Sequence, residues 1–159
     1  MIVRARLVPV SALAIAFVAC VALPTAFAEE PAHHEATANA IVRTPRPADA
    51  KLYIISPTNG ETVSSPVTVR FGLTGMGVAP AGVATPNTGH HHLTLDSPLP
   101  ALDLPLPKDD KHIHFGGGQT ETQDTLAPGQ HTLQLVLGDK DHVPHQPPLV
   151  SEPITITVK

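Results

Sequence analysis

Tryptophan is missing from the 159 residues, aromatic side chains make up only 3%, and there is a single cysteine, Cys20. So few rings exclude an aromatic box for stacking on sugars or enclosing a quaternary ammonium group. Cys20 lies within the N-terminal apolar run, so once that run is removed the chain has no thiolate ligand, no disulfide and no cysteine nucleophile. Met76 is then the only methionine, which excludes a methionine-rich Cu(I) carrier and a blue-copper centre. Basic clusters are absent too, which argues against nucleic acid and anionic lipid surfaces as partners. No stretch carries a sustained helical period, and 18 prolines oppose long helices. Neither Gly-x-Ser-x-Gly nor His-Glu-x-x-His occurs, so any catalytic case would rest on histidines alone.

The N-terminus reads as an export signal spanning residues 1–28. Arg4 and Arg6 supply a basic start, Leu7 to Val21 an apolar middle, and Ala26-Phe27-Ala28 a small-residue exit. The apolar run is shorter than the roughly 20 residues a membrane helix needs. Cleavage after Ala28 predicts a protein of the periplasm or the medium, without a transmembrane helix. The alternatives weighed against this are a retained anchor and a lipid attached at Cys20, where Phe17-Val18-Ala19-Cys20 resembles a lipoprotein box. Loss of Arg4 and Arg6 leaves the remaining chain more acidic than the full-length net charge of −4. All 10 histidines survive.

Residues 29–50, rich in Ala, Pro, Glu and Thr, are expected to form a disordered tether. From Lys51 the texture changes to short β-type runs. Leu52–Ile55 ends in Ser56-Pro57-Thr58-Asn59-Gly60, a turn composition. Val67, Val69 and Phe71 alternate with polar or small residues, as do Ile154, Ile156 and Val158. His91–Asp96 and Gln130–Leu137 are further strand candidates, whereas the proline-rich stretch Pro98–Asp110 reads as a long extended loop. These features predict an all-β fold, a small antiparallel sandwich over residues 51–159 with long Pro/Gly-rich loops.

Eight of the ten histidines fall between residues 90 and 145. On a strand, His90 and His92 share one face and His91 the other with Leu93 and Leu95, so His91 is assigned to the core. His112 and His114 repeat the pairing and run into Gly116-Gly117-Gly118, where the backbone can approach another group closely. His142 and His145 sit in the loop leaving the longest strand. His131, in phase with Leu133, Leu135 and Leu137, is read as a strand-packing residue. Neutral imidazole is the commonest ligand for Zn²⁺ and Cu²⁺. His90, His92, His112, His114, His142 and His145 are therefore the candidate ligands of a Cu²⁺ or Zn²⁺ ion at one solvent-facing end of the sandwich. Asp96, Glu121, Asp139 and Asp141 are candidate supporting carboxylates.

Several phrases, in order, resemble one family: Ile55-Ser-Pro-Thr-Asn-Gly-Glu-Thr-Val63, Asn87-Thr-Gly-His-His-His-Leu93, His112-Ile-His-Phe-Gly-Gly-Gly-Gln-Thr-Glu121, Pro128-Gly-Gln-His-Thr-Leu-Gln-Leu135 and Gly138-Asp-Lys-Asp-His-Val-Pro-His145. They are similar to the DUF4399 family over about residues 52–159. The resemblance implies a bacterial envelope protein with an Ig-like β fold, and supplies no activity. Three readings follow: a metal-binding envelope domain; a non-catalytic structural or interaction module, partnered by an envelope protein, whose histidines form a polar network; and a metal-assisted hydrolase. An enzyme is the less favoured class, and no catalytic residue is assigned.

Overall fold

A computed structural model describes residues 41–159. Nine strands follow one another: β1 Lys51–Ser56, β2 Thr62–Val63, β3 Val67–Thr74, β4 Gly77–Val78, β5 Thr88–Leu95, β6 His112–His114, β7 Glu121–Asp124, β8 Gly129–Gly138 and β9 Ile154–Val158. Among the described residues there is no helix, and so none long and apolar enough to cross a membrane. The export signal lies outside the described residues, as does residues 29–40 of the expected tether.

The strands form a sheet in the order β1-β3-β7 and a larger one in the order β2-β9-β8-β5-β4, with β6 also paired to β5. Alternation decides which side chains lie between the sheets. From the smaller sheet come Leu52, Val67, Val69 and Phe71; from the larger come Leu93, Leu133, Leu135, Leu137, Ile156 and Val158. The result is the all-β sandwich expected from the sequence. The long pairings are antiparallel, but the two-residue β2–β9 and β4–β5 pairs are parallel. β7 escaped the sequence reading because Glu-Thr-Gln-Asp has no apolar side chain. It is held as an edge by its ladder with Val67–Arg70.

The outer face of β5, with the adjoining Val136 of β8, is covered rather than wet. The loop 96–111 lies over it and buries Leu106, while the turn 139–145 buries Val143; residues 149–151 instead run beside β8, and Leu149 joins the inter-sheet core. A Leu106 amide bond to the His142 carbonyl, at 2.9 Å, joins the two coverings.

Residues 43–50, assigned to the tether from composition, are fastened to the domain. Arg43 Nε and Nη2 donate to the carbonyls of Pro144 and His145 at 3.1 and 2.5 Å. The Gln146 amide donates to the Thr44 carbonyl at 2.9 Å, and Ala50 is buried. Composition misled because this segment contributes almost no apolar surface. It is held by polar bonds to a loop about a hundred residues away.

Candidate metal centre

β5 carries the site because both of its faces are covered. His91 points between the sheets, with its ring 5.1 Å from that of Phe71 and its Nδ1 3.2 Å from the Gln119 carbonyl oxygen. His90 and His92 point outward beneath the two loops, 0% and 3% exposed. The sequence reading placed this face toward solvent. Loop 96–111 and the turn 139–145 reverse that outcome, and strand alternation cannot show it.

Four imidazoles meet there. β6 lies antiparallel to β5 with His114 directly opposite His92, and the turn after β8 brings in His142. The ring centres of His90, His92, His114 and His142 are 4.8 to 6.0 Å apart in every pairing. Donor atoms of His90, His114 and His142 all lie within 4.8 Å of one another, so these three could hold a metal ion. His92 Nε2 is 3.1 Å from His90 Nε2, so one ring donates to the other. His90 Nδ1, His92 Nδ1 and His114 Nε2 are buried without a hydrogen-bond partner among the described residues.

Two glycines make room for these rings. A Cβ on Gly116 would lie 2.2 Å from His114 Cε1, and one on Gly138 would lie 3.0 Å from His92 Nε2. His142 has φ of +67°, in the left-handed region where a side chain costs energy. Asp139 holds that conformation. Its buried carboxylate accepts from the Asp141 and Val143 amides at 2.9 and 3.0 Å and from Thr44 Oγ1 at 2.7 Å. Its carbonyl accepts the His142 amide at 2.9 Å.

The environment favours the neutral form of His90, His92 and His114. Burial pushes the pKa of His90 down to about 4, with His142 and His114 adding to the effect and Asp139 opposing it. His92 is pushed to about 2, again by burial first and then by His90, His114 and His142. His114 is lowered by burial, then by His142 and Lys108. A neutral imidazole has a lone pair to offer, which is the state a metal requires.

The remaining candidates stand apart from the cluster. His112 shares the outward face of β6 but lies opposite Thr94; Asp109 holds its Nδ1, with both carboxylate oxygens at 2.9 Å. His145 is fully buried, with Nε2 3.2 Å from the Thr88 carbonyl oxygen. His131 is a polar clasp rather than a packing residue, with Nδ1 2.7 Å from Asp96 Oδ2 and Nε2 2.8 Å from the Ala127 carbonyl oxygen. Of the proposed supporting acids, Asp96 is taken by His131, Glu121 by Arg70 and Asp141 by Lys140. Asp139 alone acts on the site, through the backbone of its loop. The sequence reading named Asp139, and Gly138 only as the start of the Gly138–His145 phrase. It missed the room Gly138 gives the His92 ring and missed Thr44, which no local pattern connects to the histidines.

Fold and site together define an all-β sandwich with a buried histidine cluster on the outer face of its larger sheet. A family model described as a domain of unknown function, DUF4399, matches residues 69–159, and the chain belongs to that family. The matched span begins in β3 and takes in the whole cluster, while β1, β2 and the Arg43–Ala50 segment precede it. No curated protein and no solved structure matches the chain.

Proposed function

We propose that this chain is an exported envelope domain that binds one Cu²⁺ or Zn²⁺ ion through His90, His114 and His142, with His92 positioning His90. The observation that carries the reading is the convergence of His90, His114 and His142 donors within 4.8 Å of one another, with a ring nitrogen orphaned on both His90 and His114. Buried polar atoms without partners are costly, at about 1–3 kcal/mol each, and call for a ligand, an ion or a function. Orphaned ring nitrogens also occur singly at His91 and His145, but only in the cluster do several rings converge with a single hydrogen bond among the four of them. Tetrahedral coordination with bonds of about 2.05 Å needs donors roughly 3.3 Å apart. The separations of up to 4.8 Å therefore close on binding. The turn carrying His142 is the element that moves.

Titration calorimetry on protein purified without a histidine tag tests this. The wild type binds one equivalent of Cu²⁺ or Zn²⁺, and His114→Ala or His142→Ala loses at least about a hundredfold in affinity. That is the upper end of what losing a partner of a ligand costs, and less than a lost ligand itself should cost. His112→Ala stays within about threefold of wild type, because Asp109 holds that ring away from the cluster. Equal binding by wild type and His114→Ala would return the cluster to a structural role.

A further inference from the structure

The histidine cluster opens on one side. A pocket of about 380 Å³ is lined by His92, Pro105, Leu106, Lys108, His114 and His142. That is room for a small molecule and little more. Three imidazole donors leave a fourth position on a tetrahedral ion, the arrangement of a site that accepts an outside ligand. We propose that the pocket takes a small anion, a carboxylate or an inorganic oxyanion, bound to the metal at one end with Lys108 facing its charge. The proposal rests on the metal reading of the same histidines.

Charge balance is the main argument. Neutral imidazoles do nothing to offset the two positive charges of the ion. Asp139, whose charge reaches His90, lies outside the pocket lining with both its oxygens accepting hydrogen bonds, from two amides and from Thr44, and it offsets at most one of the two charges. Lys108 adds a further positive charge and makes no ion pair among the described residues. Its charge acts on His114, helping to hold that ring in the neutral form. Pro105 and Leu106 make part of the wall apolar, which reduces the screening of whatever charge enters. A cationic, partly dry pocket with no internal carboxylate to fill it selects an anion.

The experiment uses the mature chain loaded with Cu²⁺ and titrated with sodium azide, followed by visible absorption. Loading gives a copper d–d band, and azide then adds an azide-to-copper charge-transfer band. Acetate and inorganic phosphate compete for the same position, and whichever does so at the lower concentration identifies the preferred class. Lys108→Gln weakens azide about fivefold, which corresponds to ~1 kcal/mol for one charge interaction near a surface. A normal d–d band that azide leaves unchanged overturns this inference alone and leaves metal binding in place. Absence of any d–d band overturns the metal reading and this inference with it. Equal azide affinity in wild type and Lys108→Gln overturns the assignment of Lys108.

Discussion

His142 and Gly116 stand at opposite extremes of what one residue does for the cluster. At His142 a side chain is kept where glycine would be easier, at a φ of +67°. Left-handed backbone costs a non-glycine residue about 1–2 kcal/mol, and Asp139 supplies the bonds that hold it. At Gly116 the opposite holds, because even one carbon would occupy the place of the His114 ring, 2.2 Å from Cε1. Gly116→Ala therefore lowers metal affinity at least about tenfold while leaving the sheets intact, since the displaced ring lies outside the inter-sheet core. Calorimetry reports the first effect and far-ultraviolet circular dichroism the second. Unchanged affinity would mean that His114 is not a ligand.

Among the elements, the Arg43–Ala50 segment does the most with the least apolar surface. Arg43, Thr44 and the Gln146 amide supply four hydrogen bonds between this segment and the turn after β8. At about 0.5–1.5 kcal/mol net for each bond, a chain starting at Lys51 should be about 2–6 kcal/mol less stable than one starting at Glu29. Chemical denaturation measures that difference. The same truncation removes Thr44 from Asp139, so it also weakens metal binding through the conformation of His142. If truncation left both stability and affinity unchanged, the segment would be the passive tether its composition suggests.

For the whole molecule, the buried imidazoles couple folding to pH. His90 has a pKa near 4 in the folded protein and near 6.5 when unfolded, so below pH 6.5 the unfolded chain takes up the proton that the folded one refuses. Stability is therefore full above pH 6.5 and falls as pH drops from 6.5 toward 4, by up to about 1.4 kcal/mol per pH unit for each such histidine. His92 and His114, shifted in the same direction, add to the slope. Denaturation midpoints measured between pH 7.5 and 4.5 check the sign, and saturating metal moves the decline to lower pH because it binds only the neutral rings. A flat profile would mean that the rings are not buried in solution. Location is decided at this scale as well. Export with cleavage after Ala28 predicts a mature N-terminus at Glu29, read by mass spectrometry of the envelope fraction, whereas a lipidated Cys20 would instead place the protein on a membrane surface.

Strand identity was legible because it depends on neighbours in the chain. Alternation at Val67–Phe71, Gln130–Leu137 and Ile154–Val158 gave β3, β8 and β9, and the same period put His91 on one face of β5 and His90 with His92 on the other. The pairing of His112 with His114 on one face of β6 was legible for the same reason. Which histidines meet was not, since that depends on register and on covering loops. A two-residue step along β6 takes a ring from His92, opposite His114, to Thr94, opposite His112. His142 joins because its turn folds back over β5, and His145, three residues later, is carried to the Thr88 carbonyl instead. Burial of the site likewise comes from segments 96–111 and 139–145 closing over a face that periodicity alone leaves open. Local sequence sets the direction of each side chain; only contacts between residues distant in the chain set what it meets.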